Sequence, residues 1–234
     1  MGLFTQRSGK KELLDGTGIA FMDIKQNMQE LDTINSVLGG HAITVQGLAR
    51  LLKQIKKDQH ISVVEIGCGG GDNLRVIKYW CKKNGYTATL TGVDINPECV
   101  VFAKSRKENE GIDFICSDYL KVNFKTKPSV IFSSLFCHHF TDDELVFMLQ
   151  WMKQQASVGF FINDLHRHPL AYYSIKLLTR LFSNSALVKN DAPLSVLRGF
   201  IRKEWAHLLR KAGIDNVSCS WQWAFRWLII YGKQ

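Results

Sequence analysis

With 234 residues, 46% hydrophobic and 22% charged, the chain is long enough to bury one substantial core and has the composition of an ordinary globular protein. No apolar run approaches the roughly 18 residues of a membrane span, and Met1-Gly2-Leu3-Phe4-Thr5-Gln6 has neither a signal-peptide core nor the Ser/Thr that myristoylation requires, so a cytoplasmic protein is expected. Cys68, Cys81, Cys99, Cys116, Cys137 and Cys219 form no C-x-x-C pair, which disfavours a zinc site and a disulfide framework; the net charge of +9 is interleaved with apolar residues, as on solvated helix faces.

Residues 1 to about 17 are polar and glycine-bearing and read as a loose arm. Helices are predicted from about Ala20 to Val37 and from about Thr44 to Lys57, joined by Leu38-Gly39-Gly40-His41; preceding the first strand, they are expected to cap the crevice of the sheet. Strands and amphipathic helices then alternate: strand 61–66, helix 71–83, strand 88–94, helix 97–109, strand 112–116, strand 129–135, helix 142–155 and strand 158–164. That alternation implies an α/β fold with a parallel sheet, which binds ligands beyond the carboxyl ends of its strands. A helix from about Pro169 to Phe182 leads into the stretch 184–193, and another helix, around 202–212, ends at Gly213. The aromatic-rich segment 217–231 reads as two strands closing the sheet as an antiparallel pair. Residues 1–58 are thus an arm and helical cap, and 59–234 the sheet domain with an insertion at about 166–200, in a single structural unit.

The most informative stretch is Val63-Val64-Glu65-Ile66-Gly67-Cys68-Gly69-Gly70-Gly71-Asp72. An apolar strand closed by an acid runs into glycines at alternate positions, a turn that brings bare backbone against a ligand. Leu90-Thr91-Gly92-Val93-Asp94 is a second strand ending in a carboxylate, placed to accept the hydroxyls of a ribose. A dinucleotide fingerprint would need a glycine where this chain has Asp72, and an acid two residues before the first glycine repels a pyrophosphate. The same acid suits a ligand with an ammonium and a sulfonium, which favours S-adenosylmethionine (SAM) over NAD.

At Glu65 through Gly71 and at Asp94 the chain resembles the class I SAM-dependent methyltransferases. The resemblance implies a Rossmann-like, seven-stranded, mostly parallel sheet with an antiparallel last strand. It also implies that Glu65, Gly67, Cys68, Gly69 and Gly71 surround the methionine portion, that Asp94 holds the ribose and that Ile95 packs on the adenine. Asp118 is placed to accept a hydrogen bond from the adenine amino group and Tyr119 to give a flat apolar contact, the alternative for Asp118 being a turn or N-cap aspartate. Ser134, at the end of the fourth strand, completes the cofactor set, and Phe136 begins the acceptor pocket.

Two histidine clusters follow. His138 and His139 are adjacent, and neighbours on an extended chain point to opposite faces, so one ion shared by both is not expected; His139 is a candidate general base. Asp164, His166 and His168 alternate, which would aim them at one side; the alternatives are a metal set, an N-terminal cap for the helix beginning at Pro169, or a catalytic His166 assisting deprotonation of a phenol. The reading adopted has no metal. The blocks Asn163-Asp164-Leu165, Leu170-Ala171-Tyr172, Leu177 to Leu181 and Asp191 to Arg198 resemble a bacterial branch associated with aromatic polyketide or quinone-like products. That resemblance implies O-methylation of a phenolic, lipophilic small molecule, with Asp164, Tyr172, Asp191, Ser195 and Arg198 as pocket or gate residues. Peripheral membrane contact stays open for such a substrate, and no nucleic-acid partner is expected. RNA or protein methylation and non-catalytic cofactor binding are the competing readings.

Overall fold

The computed structural model describes residues 2–16 and 18–233; Met1, Thr17 and Gln234 lie outside the described residues. Strands β1 (Ile61–Ile66), β2 (Ala88–Asp94), β3 (Asp113–Cys116), β4 (Val130–Ser134), β5 (Gly159–Leu165), β6 (Val217–Gln222) and β7 (Arg226–Gly232) form one seven-stranded sheet in the order β3-β2-β1-β4-β5-β7-β6. The first five strands pair in parallel, and β7 runs antiparallel between β5 and β6. This is the expected Rossmann-like sheet, its reversed strand being the last in the chain.

Helices α1 (Phe21–Val37), α2 (Gly40–Leu51), α3 (Asp72–Asn84), α4 (Pro97–Ser105), α5 (Asp142–Gln155), α6 (Pro169–Phe182), α7 (Ala186–Arg198) and α8 (Arg202–Lys211) surround the sheet. Both faces are covered, which is why β1 and β4 are buried almost throughout and read as continuous apolar runs. One core joins Leu145, Met148, Leu149 and Met152 of α5 to Trp205 and Leu208 of α8. The other joins Leu48 and Leu51 of α2 to Leu74 and Ile77 of α3 and to the strands beneath. Truncating a side chain as enclosed as Trp205 costs about 3–5 kcal/mol. At Gly47 a Cβ would stand 2.5 Å from the Phe161 ring, so this glycine lets α2 rest directly on β5.

Because β2 lies on one side of β1 and β4 on the other, chain direction switches above the carboxyl ends of β1 and β4, and a crevice opens there. Helix α1 lies across it through Ile24 and Met28, which pack on Cys99 and Phe102 of α4.

Three segments depart from the sequence reading. Left-handed Gly39 (φ 77°) lets α2 begin at Gly40 rather than Thr44, and the helix tightens after Leu51 into a 3₁₀ turn. The stretch 184–193 is mostly helix α7, with Ser185 capping it by accepting from the Val188 amide at 3.3 Å and Pro193 inside it. That proline removes one helical hydrogen bond, a loss offset by the buried Leu187, Val188 and Val196. Residues 7–15 are not loose. Arg7 donates to the carbonyls of Phe140 and Arg198, and Asp191 accepts from the amides of Leu13 (2.8 Å) and Leu14 (3.0 Å), so the arm is fastened across the crevice.

Candidate active site

The glycine turn forms the cradle. Gly67 (φ 68°), Gly69 (φ 48°) and Gly71 (φ 75°) are all left-handed, and a Cβ on Gly67 would lie 2.1 Å from the Phe136 ring. Asp94 organises the turn: its carboxylate accepts from the amides of Gly69 (2.8 Å) and Asn96 (2.9 Å). Burial raises the Asp94 carboxyl above the usual range, against the pull of those amides. Asn96 then caps α4 by accepting from Glu98 and Cys99, with Pro97 at the first helical position. Ile95 projects beside them and is 71% exposed, an apolar side chain left without a protein partner at the cradle's rim.

Glu65, at the end of β1, is 1% exposed. One carboxylate oxygen accepts from Asn73 at 3.1 Å, while the other meets no hydrogen-bond partner. Burial and the neighbouring Asp72 and Asp94 push its carboxyl well above the usual value. Two further orphaned groups, Asn27 Nδ2 and Arg226 Nη1, also belong to residues lining this crevice. Arg226 is buried, which brings its guanidinium down to about 10, and its other Nη donates to Asn35 at 2.9 Å. A buried anion and a buried cation with unspent hydrogen-bonding capacity mark a place for a zwitterion.

Beyond β4, Leu135 adopts φ 53°, unusual for a branched residue, and the chain turns into a short 3₁₀ segment at 137–139. Asp164 of β5 fixes this turn, accepting from the amides of Phe136 (3.2 Å) and Cys137 (2.7 Å) and from His138 Nδ1 (2.8 Å). The far nitrogen of His138 faces buried Glu12 at 3.4 Å, and Glu12 accepts from Ser195 at 2.7 Å. Burial alone would lower the His138 imidazole, but the flanking Asp164 and Glu12 carboxylates lift it to about 9. Burial pushes Glu12 up, yet His138, His139 and Ser195 outweigh it and hold the carboxyl below its ordinary value.

A cavity of about 1570 Å³ connects these parts. Pockets for one small molecule run to roughly 300–1,000 Å³, so this one has room for two. Of the residues singled out from sequence, Glu65, Gly67, Cys68, Gly69, Asp94, Ile95, Ser134, Phe136, His139, Asp191, Ser195 and Arg198 line it. Gly71 stands one turn back, at the N-cap of α3. The others lie elsewhere. Asp118 accepts from the Leu120 amide at 3.0 Å, which is the N-cap alternative, and Tyr119 is buried against Trp151, Phe136 and Phe140. Asp164 is wholly buried beneath the wall, and Tyr172 packs on Phe4 and Tyr173. His166 accepts from the Trp221 indole at 3.2 Å, and burial lowers its imidazole. His168 caps α6 by accepting from the Leu170 amide at 3.2 Å, so Asp164, His166 and His168 do not converge. Asp191, Ser195 and Arg198 bear on the site through the arm; Arg198 donates to the His138 carbonyl at 3.0 Å and also to that of Lys10.

The comparisons with known proteins bear on the same region. Residues 63–159 match a family profile described as a methyltransferase domain. The plantazolicin methyltransferase BpumL, solved in complex with SAH, superposes with a TM-score of 0.62 at 18% identity, over 86% of this chain and 78% of that one. Human N-acetylserotonin methyltransferase, solved with SAM, gives 0.62 at 20% identity, over 92% of this chain and 56% of that one. Comparison with curated proteins gives no significant match. Residues 63–159 thus match a methyltransferase domain, within a chain whose fold is that of the class I SAM-dependent methyltransferases.

The orphaned groups fit such a cofactor, Glu65 suiting an α-ammonium and Arg226 an α-carboxylate, while Asp94, already bonded to two amides, suits a ribose diol. Sequence reading missed Glu12, Asn27 and Arg226, and gave His138 no role. Its treatment of Cys137 to His139 as extended chain is corrected by the 3₁₀ turn, which brings the two imidazole centroids to 4.4 Å. The only local hint of Glu12 is a pair of acids, Glu12 and Asp15, in an otherwise basic arm.

Proposed function

We propose that this methyltransferase transfers the methyl group of SAM to a hydroxyl oxygen of a small, lipophilic acceptor, a phenol of the aromatic polyketide or quinone-like kind. The observation that carries the reading is the continuity of one cavity, in which Glu65, Asp94 and the glycine turn beneath Met28 share their lining with the apolar Ile24, Leu31, Ile175, Leu178 and Val188. An apolar wall with few fixed polar groups suits a greasy, planar guest. Two proteins it resembles in fold are named for plantazolicin and N-acetylserotonin.

The donor supplies a methyl group already activated by its positive sulfur, so the protein's contribution is position and exclusion of water. Glu65 and Arg226 hold the two ends of an amino acid, Asp94 fixes the sugar, and Phe136, packed over Gly67, separates cradle from acceptor. The arm and α1 close the top, so the acceptor oxygen would attack the methyl carbon out of bulk water; the carbon–sulfur bond breaks to leave S-adenosylhomocysteine, and the hydroxyl proton passes to solvent.

Helix α6 relates the cavity to a source of lipophilic substrate. Ala171, Ser174, Ile175 and Leu178 line the cavity, while Leu170, Tyr173, Leu177, Leu181 and Phe182 lie exposed at helical spacing, with Lys176 and Arg180 among them. No helix among the described residues is long and apolar enough to cross a membrane. An exposed apolar stripe flanked by cations, on a chain of net charge +9, suits the surface of an anionic bilayer. We assign α6 that partner, with acceptor entering beneath it. Incubation with isotope-labelled SAM and separate lipid and aqueous extracts tests the reading. Label in a lipid-soluble phenol ether supports it; label only in RNA or protein, or in no fraction, overturns it.

A further inference from the structure

We infer that Glu12, His138 and His139 form a binding site for one divalent transition-metal ion of the zinc and iron class, on the wall of the acceptor cavity. The orientation of the two imidazoles carries this. His138 Nδ1 is held by Asp164 at 2.8 Å and His139 Nδ1 by Asp15 at 2.9 Å. Each ring is therefore pinned by a carboxylate on one nitrogen, the arrangement that orients metal-ligating histidines and leaves the other nitrogen's lone pair free. Both free nitrogens face the same carboxylate: His138 Nε2 is 3.4 Å from Glu12 Oε1 and His139 Nε2 is 3.8 Å from Glu12 Oε2. One ligand atom from each of the three residues lies within 4.8 Å of the others.

These separations decide between two accounts. A good N–H···O bond spans about 2.7–3.2 Å, shorter than either gap. Ligands about 2.0–2.1 Å from a zinc ion at tetrahedral angles stand roughly 3.3–3.4 Å from one another, which is the spacing found at His138. Charge agrees. Glu12, Asp15 and Asp164 bring three carboxylates around two imidazoles, and the Arg198 guanidinium stands 3.9 Å from Glu12 with donors turned to the carbonyls of His138 and Lys10. A divalent ion between neutral imidazoles cuts the charge of the three carboxylates from −3 to −1, and the nearby Arg198 guanidinium balances the remainder.

A second cluster, Asp32, His41 and Asp72, is compact but its donors are spent. Asp32 pairs with Arg75 at 2.5 Å, while Asp72 accepts from Asn35 at 3.2 Å and from His41 at 2.8 Å. Glu12, His138 and His139 all line the cavity, so three protein ligands leave a coordination position open towards the acceptor. A phenol hydroxyl bound there would give its proton to solvent, keep its oxygen on the ion and so meet the methyl carbon as a phenolate while the carbon–sulfur bond breaks. That role rests on the proposed O-methylation; the site itself does not.

The test uses the full chain, stripped with a chelator and titrated with Co²⁺, whose visible absorption reports imidazole and carboxylate ligation. We expect one Co²⁺ per chain by equilibrium dialysis and elemental analysis, with affinity falling at least tenfold in Glu12→Gln and in His139→Ala. Asp15→Asn, which alters the group that orients His139 and also accepts from the Glu12 amide, should weaken binding roughly 10- to 100-fold. Asp72→Asn should leave uptake unchanged. No uptake by the wild-type chain, uptake unaffected by the first two variants, or uptake lost only in Asp72→Asn would each overturn the assignment. Thermal melting checks the fold of every variant, and if Glu12→Gln does not fold, the partly exposed His139→Ala decides alone. SAM affinity of the stripped protein, measured by calorimetry, stands or falls separately, so failure of the metal site and failure of the methyltransferase reading give different results.

Discussion

Replacement of Glu65 by glutamine separates a binding role from a packing role, because the two make opposite demands on the same atom. The buried carboxylate spends one oxygen on Asn73 and leaves the other without a partner, at a cost to the free protein reflected in its raised pKa. Glutamine keeps the shape and can still accept from Asn73, but it cannot neutralise an ammonium. A hydrogen bond to a charged group contributes about 1.5–3 kcal/mol, so at about 1.4 kcal/mol per tenfold SAM should bind roughly 10- to 150-fold more weakly. Stability should move the other way. An acid whose pKa is raised on folding holds more protons folded than unfolded, so its contribution to stability falls as pH rises from the ordinary value of 4.5 towards the raised one. At neutral pH the ligand-free variant, which has no charge to bury, should therefore melt at or above the wild-type temperature. Calorimetric titration with SAM, paired with thermal melts without ligand, measures both. Affinity within twofold of wild type, or a ligand-free variant that melts well below it, would refute the reasoning.

Further predictions follow from the same geometry. Asp94→Ala removes the acceptor for the ribose diol and for the Gly69 and Asn96 amides, and should weaken SAM binding by at least about thirtyfold, roughly 2 kcal/mol; unchanged affinity by calorimetry would reject the assignment. Asp191→Ala frees the Leu13 and Leu14 amides, so trypsin should cut after Lys10 and Lys11 many times faster than in the wild type; equal digestion rates would mean that the arm is held by other contacts. His166→Ala should leave turnover within twofold, because its ring faces Trp221 rather than the cavity, and a tenfold loss with a labelled phenol would return it to the reaction. Leu177→Asp with Leu181→Asp should abolish co-sedimentation with phosphatidylserine-containing vesicles while SAM affinity holds; undiminished sedimentation would move the membrane contact off α6.

The glycine cradle and its flanking acids were legible in the sequence because their determinants are local. Glu65, the glycines and Asp94 lie on strand ends and one turn, where alternation of apolar residues and the need for left-handed backbone fix the geometry within a few residues. The acceptor half was less legible because its contacts are distant in sequence. Glu12 meets His138 and Ser195 from an arm that has no periodicity of its own. His138 and His139 share a side only because Asp164, on the neighbouring strand, draws the chain into a 3₁₀ turn. Proline punctuates sequences reliably on average, yet Pro193 sits inside α7, where burial of its neighbours outweighs one missing hydrogen bond. Asp118 shows the converse: a residue placed by family resemblance at the adenine is occupied locally, capping the turn that follows it.

The most direct measurement is the structure of the protein crystallised with S-adenosylhomocysteine. The account predicts the sugar hydroxyls on Asp94, the adenine against Ile95 and the amino group on the unpartnered oxygen of Glu65. Nucleoside bound away from the turn at 67–71, or no binding at millimolar ligand, would contradict it.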